Sequence, residues 1–479
     1  MGGLIAYGAY VPHHRLRRSE IAAVLGGAAA PGTRTVAGYD EDSTSLGVEA
    51  ARTALRGLSD GRAPRRLYFA SSAPAYRDKT NATAVHAALR LDRSAPAADM
   101  CGAVRSGFDA VGAAIDSPVP ALAVLSDLRG GLPGGADERD GGDAAAALVF
   151  SGSGEDASTA PVIAEVMGQG WATAEFLDRW RPQDAVASRT WEERFGEQAY
   201  APLAESAFAQ ALKEADLTPE GVDHLIVAGA HGRAVRTAAA RTGVPREAWA
   251  DDLSRSIGNP GAAQFAVVLC DVLDRAGAGE TVAVLLLGDG ASALVLRTTE
   301  ALAERRPAPS VGEQVAGGDD SLTYATYLTW RGLLDREPPR RPDPEPPSAP
   351  PMHRSTDWKY ALVAGRCASC GTRHLPPADV CRACQHTGRM EPEPMADVPA
   401  TITTYTVDHL AYSLNPPVVT AVVDFEGGGR MRCELADTDP GSVRIGNRVE
   451  MSFRRTQTAR GVHNYFWKAR PARRVPGQG

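Results

Sequence analysis

The chain has 479 residues, too many for a single hydrophobic core, so two or three domains are expected. Its 43% hydrophobic and 23% charged residues are those of an ordinary globular protein, and a net charge of −7, from 51 basic and 58 acidic residues, gives no sign of a polyanion partner. No apolar run approaches the ~20 residues of a membrane span, and MGGLIAYGAYVPHHRL lacks the charged-then-apolar order of a secretory leader. No membrane partner and a cytoplasmic, reducing location follow, so the seven cysteines are expected as thiols or metal ligands.

Along the chain, two segments echo each other. Ala121–Asp127 (ALAVLSD) is followed by GGDAAAALVF at 141–150, and Thr281–Leu287 (TVAVLLL) by GDGASALVLR at 288–297. Each reads as a buried strand, a Gly-Asp turn and a strand of small residues. Helical patterns lie between them at Thr44–Leu58, Tyr200–Ala215 and Ala262–Ala276. Strands alternating with helices in two similar halves, 1–160 and 161–300, imply a duplicated α/β fold. A connector at 301–358 follows, with an amphipathic helix at Leu322–Leu334 and then eight prolines between Pro338 and Pro351. Proline fixes φ and removes a donor, so this stretch reads as a semi-rigid spacer.

At 359–395 the chemistry changes. Cys367-Ala-Ser-Cys370 and Cys381-Arg-Ala-Cys384 are two CxxC pairs ten residues apart, the spacing of a four-thiolate zinc knot. Gly371 suits the tight turn of such a knuckle. A closed shell leaves no coordination position for water, so the zinc is expected to be structural. From 396 to 479, Thr401–Val407, Val418–Phe425, Arg430–Leu435 and Arg448–Phe453 read as short strands broken by glycine and proline turns, the pattern of a small barrel. Residues 351–479 carry 17 Lys and Arg against 12 Asp and Glu, a balance of +5 that suits a solvated basic surface, a phosphate-bearing ligand such as CoA, or an acidic carrier protein. They lack the dense basic and aromatic interleaving of a nucleic-acid surface, and no nucleic-acid partner is expected.

The order of ribbon, TYTV, PPVVTAVVDFEGGGRM and DTDPGSVRIGNRVEM resembles the zinc-ribbon/OB-fold family that accompanies thiolase-like enzymes. Over the first 300 residues, IAYGAYVPHHRL, DEDSTSLGVEAAR, ATAVHAAL, WEERFGEQAY, SIGNPGAAQ and GDGASALVL resemble hydroxymethylglutaryl-CoA synthase and ketoacyl synthase III of the thiolase superfamily. The resemblance implies a duplicated five-layered thiolase-like fold followed by a zinc ribbon and an all-β OB-fold barrel. It also implies a CoA or phosphopantetheine thioester as substrate, with acyl carrier protein a possible partner, and a homodimer.

Such enzymes use a cysteine thiolate to take the acyl group, a His and an Asn to polarise the thioester carbonyl, and in the synthase a Glu to move a proton. Carried over residue by residue, Asn259 of Ile257-Gly-Asn-Pro-Gly matches the family asparagine, but the acid falls at Ser72, the nucleophile at Val104 and the histidine at Ala228. Cys101 and His231 lie three residues before Val104 and three after Ala228, respectively. Three readings stay open. In the first, Cys101 carries the acyl group and His231 and Asn259 activate the carbonyl of an enzyme that forms carbon–carbon bonds or transfers acyl groups. In the second, the chain is a cysteine-independent aldolase or retro-aldolase with Tyr76, Asp78 or His231 as acid–base groups. In the third it is an inactive scaffold. His86 and His224 read as structural and surface residues, Cys270 and Cys433 as core.

Overall fold

Runs such as Ala121–Leu128 and Thr281–Leu287 are apolar almost throughout and buried at nearly every position, as strands covered on both faces must be. A computed structural model describes residues 2–56, 58, 64–182, 185–340, 345–388 and 390–472. Their contacts divide the chain into two units. The first comprises 1–37, 42–83 and 91–327; the second comprises 38–41, 84–90 and 328–479.

The first unit is organised on one nine-stranded mixed sheet. Its strands are β1 (Leu4–Tyr10), β2 (Arg66–Ser71), β3 (Ala97–Cys101), β4 (Ala121–Leu128), β5 (Asp143–Phe150), β6 (Ala164–Thr173), β7 (His224–Gly229), β8 (Thr281–Leu287) and β9 (Gly290–Thr298), in the order β7-β8-β9-β6-β1-β5-β4-β2-β3. The repeat seen in the sequence is a repeat of topology. β2-β4-β5-β1 and β7-β8-β9-β6 have the same order, each beginning with a parallel pair and continuing antiparallel. Leu4 pairs with Ala164 where the halves meet, and β3 adds an edge strand to the first half.

Helix α1 (Ser43–Arg56) packs on the first half, and α3 (Glu193–Glu214) with α4 (Gly232–Arg241) on the second. Between them lie α2 (Ser106–Ile115) and α5 (Gln264–Leu273), whose apolar residues join strands of both halves in one core. All ten residues of α5 are buried. These are the five layers of the thiolase-like fold. The Phe108 and Phe265 rings meet at 5.5 Å in the middle layer, where truncating a buried Phe typically costs ~3–5 kcal/mol. A Cβ on Gly107 would stand 2.2 Å from the Ala262 carbonyl oxygen, so the central helices require glycine there.

The helices differ from expectation mainly at their ends. α3 starts at Glu193, seven residues before the predicted start, and keeps Pro202 inside. α5 is entered through a 3-10 turn at Gly261–Ala263, and Gly261 at its start has φ +55°. The predicted helix at 322–334 is shorter, Tyr324–Trp330, and Gly332 just beyond it has φ +67°. Among the described residues no helix is long and apolar enough to cross a membrane.

In the second unit, the described residues between 331 and 348 form neither helix nor strand; part of the expected proline-rich spacer, 341–344, lies outside them. The ribbon is a three-stranded sheet in which Val363–Cys367 lies between Arg373–His374 and Met390–Pro394. Five antiparallel strands follow, Ala400–Asp408, Val418–Phe425, Arg430–Glu434, Arg448–Ala459 and Val462–Pro471. Val418–Phe425 and Arg430–Glu434 alternate buried and less buried positions, the period-2 signature of a sheet with one covered face. A bridge between Leu435 and Ala469 brings the two edge strands together and closes the barrel. Fully buried Arg454 pairs with Asp40, Glu41 and Asp437, so a charge that would be costly alone is compensated threefold. Arg373 of the ribbon donates to the carbonyls of Glu426 and Gly428 in a barrel turn.

Candidate active site and metal centre

Open α/β sheets bind ligands beyond the carboxyl ends of their parallel strands, where loops leave the sheet and backbone groups are free of the ladder. A cavity of about 170 Å³ lies there in the first unit. Ser72 follows β2, Gly102–Val104 follow β3 and Arg129 follows β4; in the second half Ala230 and His231 follow β7, and Gly288 and Asp289 follow β8. Asp178–Arg181 and Tyr200 complete most of the wall.

His231 is the N-cap of α4, and its Nδ1 accepts from the Ala234 backbone N–H at 3.0 Å. An accepting Nδ1 puts the proton of the neutral ring on Nε2. That Nε2 is buried, with no hydrogen-bond partner among the described residues, an uncommon condition for a polar atom away from water. Gly196 of α3 permits the placement, since a Cβ there would lie 2.7 Å from Nε2. Asn259 acts behind this loop. Its Nδ2 donates to the Gly229 carbonyl and its Oδ1 accepts from Gly261 N–H, so the carboxamide braces the end of β7.

Ser72 stands where the resemblance implies an acid. Its Oγ donates to Asp127 Oδ2 at 2.7 Å and accepts from Arg129 Nη1 at 3.0 Å. Asp127 is fully buried and also accepts from Ser71 Oγ and the backbone N–H groups of Ser72, Ala73 and Ala262, which replace its lost water. Arg181 Nη2 donates to the Ser72 carbonyl, and Arg179 forms a two-pronged pair with Asp137. At the β8–β9 turn Asp289 is left-handed, with φ 48°, and Arg105 clasps the turn by donating to the Asp289 carbonyl and to Thr173 Oγ1. Burial, reinforced by the nearby Asp178 charge, raises the Asp289 pKa. Asp178 Oδ1 accepts from the Tyr200 hydroxyl at 3.4 Å.

Among the described residues the cavity lining includes His231, Val104 and Ser72 but neither Cys101 nor Asn259. Cys101 ends β3 on an exposed stretch, yet burial of its thiol, aided by Asp99, pushes the pKa up to about 11. A nucleophilic cysteine needs the opposite shift. Tyr76 and Asp78 do not line the cavity; the backbone of Tyr76 is tied to Asn81, and Asp78 is exposed. His224 pairs with Glu280 at 2.7 Å, and Cys270 and Cys433 are buried. Sequence reasoning passed over Arg129, Arg179, Arg181, Asp178 and Asp289. Two arginines around Trp180, directly after an aspartate, were the signal available.

The metal centre is local. The Sγ atoms of Cys367, Cys370, Cys381 and Cys384 lie within 4.8 Å of one another, with Cys367–Cys384 at 3.7 Å and Cys370–Cys381 at 3.5 Å. Four thiolates ~2.3 Å from a tetrahedral zinc stand about 3.8 Å apart, so the residues fit that ion. Gly371, at φ +76°, donates its N–H to the Cys367 carbonyl and closes one knuckle. When bound, the ion supplies cross-linking and no open position for chemistry.

Comparison with known proteins agrees with both halves of this description. Three family profiles match: the ChsH2 rubredoxin-like zinc ribbon at 359–391, the ChsH2 C-terminal OB-fold domain at 393–454, and the 3-oxoacyl-[acyl-carrier-protein] synthase III C-terminal domain at 212–298. Hydroxymethylglutaryl-CoA synthase of Pyrococcus horikoshii is 31% identical over 339 residues, covering 69% of this chain and 95% of the relative. The synthase of Methanothermobacter thermautotrophicus is 29% identical over 351 residues, 70% of this chain and 99% of the relative. Among solved structures, MvaS in complex with 3-hydroxy-3-methylglutaryl coenzyme A superposes with a TM-score of 0.57 at 19% identity, over 72% of this chain and 94% of that one. PksG, an HMG-CoA synthase from Bacillus subtilis, gives 0.59 at 18% identity, over 69% and 89%. With a thiolase-like sheet, a cavity at its strand ends and relatives matched over nearly their whole length, the chain belongs to the hydroxymethylglutaryl-CoA synthase family and carries a ChsH2-type zinc ribbon and OB-fold after it.

Proposed function

We propose that the protein is an acyl-thioester-dependent enzyme that forms carbon–carbon bonds or transfers acyl groups, drawing its acyl group from CoA or an acyl carrier protein. The observation that carries the reading is the buried, unpartnered Nε2 of His231 in the cavity wall. With Nδ1 engaged by Ala234, the neutral ring keeps its N–H on Nε2, buried against Gly196 at the edge of the cavity. A thioester carbonyl oxygen is the acceptor this donor lacks, and charge developing on that oxygen during attack strengthens the bond. Asn259 acts as a positioning residue through the Gly229 carbonyl and the Gly261 amide. In this reading Cys101, beside the Gly102–Val104 wall, carries the acyl group.

A second reading draws on two features of the site, although the synthase relatives do not favour it. Val104 lines the cavity at the position where the family nucleophile maps, and the Cys101 thiol is shifted away from the thiolate. Here the acyl group stays on its own thioester, and the bond forms or breaks by a cysteine-independent aldol step. Incubation with a panel of acyl-CoAs, read by intact mass and by turnover, separates the two. An acyl adduct lost in Cys101→Ala supports the acyl-cysteine route; turnover retained in Cys101→Ala without an adduct supports the aldol route. If His231→Ala leaves thioester turnover unchanged, both fail.

A further inference from the structure

Three arginines line one cavity, and they are not equivalent. Arg179 is neutralised by Asp137, both of whose carboxylate oxygens lie 2.7 Å from its Nη2. Arg129 and Arg181 instead turn to uncharged oxygens of a single residue, Arg129 Nη1 to Ser72 Oγ at 3.0 Å and Arg181 Nη2 to the Ser72 carbonyl at 2.5 Å. Each guanidinium has five N–H donors in a planar fork that matches a carboxylate, and those hydrogen bonds leave donors over. Asp127, the nearest carboxylate in the Ser72 network, already accepts five hydrogen bonds from Ser71, Ser72, Ala73 and Ala262. Of the acidic residues in the wall, Asp178 accepts from Tyr200, and Asp289 belongs to the β8–β9 turn clasped by Arg105. Burial also pulls the Arg129 pKa down, helped by the neighbouring Arg179 and Arg181 charges and opposed by those of Asp127 and Asp137.

A cavity of about 170 Å³ is well below the ~300–1,000 Å³ of pockets that enclose drug-sized ligands, so a nucleotide is not what it holds. It suits a short acyl group. Resting on the thioester reading above, we infer that the acyl group bears a free carboxylate, and that Arg129 and Arg181, held side by side on Ser72, are the residues that select it. The substrate class is then the CoA or carrier thioester of a short dicarboxylic acid. Ser72 acquires a purpose in place of the lost acid: its hydroxyl and carbonyl hold two guanidinium groups at one spot.

The test is calorimetric titration of the full-length protein with succinyl-CoA and butyryl-CoA, whose acyl chains are equally long and differ in the terminal carboxylate. Two charge-assisted contacts should make succinyl-CoA bind at least about tenfold tighter. That ratio should fall toward one in Arg129→Gln/Arg181→Gln and recover in part in Arg129→Lys, which restores charge without the fork. A ratio near one in the natural protein overturns the inference and leaves the thioester reading standing. A ratio undiminished in the double variant overturns the assignment to these arginines. Binding of neither thioester removes the underlying reading and this inference with it. Should the double variant fail to fold by circular dichroism, Arg181→Gln alone decides, because its only described side-chain bond is to a backbone carbonyl.

Discussion

The metal knot takes its four ligands from eighteen consecutive residues, 367 to 384, whereas the cavity gathers its wall from residues between 72 and 289. In the knot, spacing alone sets the geometry, because each CxxC turn delivers two sulfurs to one point whatever surrounds it. In the cavity, each side chain arrives at the end of a different strand, and its place depends on the sheet, the central helices and the loops together. A local site fails when a ligand is lost. A distributed site fails when one of its supports moves.

The largest effect expected from this contrast is at the knot. Structural zinc contributes roughly 10–16 kcal/mol to the folding of small zinc domains, and Cys381, fully buried, is one of four ligands. Cys381→Ser should reduce zinc from one ion per chain to near none and open the ribbon to proteolysis, measured by elemental mass spectrometry and limited digestion. Unchanged zinc content and an intact ribbon would show that three thiolates suffice.

A smaller effect belongs to the core around the first unit's sheet. Asp274 accepts from the Tyr7 hydroxyl and the Val311 amide, and burial raises its pKa from 3.8 to about 6. The folded protein therefore binds a proton more tightly than the unfolded chain. This contribution to stability is fully present below about pH 4 and is lost as pH rises through about 6, by at most about 3 kcal/mol. Denaturant titrations from pH 4 to 7 should show the decline, and Asp274→Asn should flatten it. An equal slope in the variant would assign the dependence to another group.

The smallest change in stability accompanies a large change in function. In Gly196→Ala the new methyl would meet His231 Nε2 and Cδ2 at 2.7 Å, while alanine is favoured over glycine in a helix by ~1 kcal/mol. Melting should shift little, and thioester turnover should fall at least about tenfold. Full activity in this variant would mean that the imidazole has room to move, and the cavity would be less dependent on its supports than the contrast requires.

What could be read from the sequence divides along the same line. Both echoing segments became strands of matching order, and the two CxxC pairs became one knot, because periodicity and short spacing are local information. Asn259 was found by its motif, although its carboxamide braces backbone and does not line the cavity. Arg129, Arg181, Asp178 and Asp289 were missed because nothing periodic marks them; they lie in loops or short connecting segments, and only the folded sheet brings them together. Cys101 was singled out for its residue type and its neighbouring glycine, and neither reports the burial of its thiol or the Asp99 charge beside it.

The matching order of β2-β4-β5-β1 and β7-β8-β9-β6 has one more consequence. The strands that make the chain recognisable as kin to its relatives carry almost none of the atoms that would meet a substrate. Those atoms sit on short bridges at strand ends, where an exchange of residues leaves the ladder untouched. Ancestry and reaction are thus written in different parts of the chain. A lineage built this way can exchange residues at its strand ends and still look like itself.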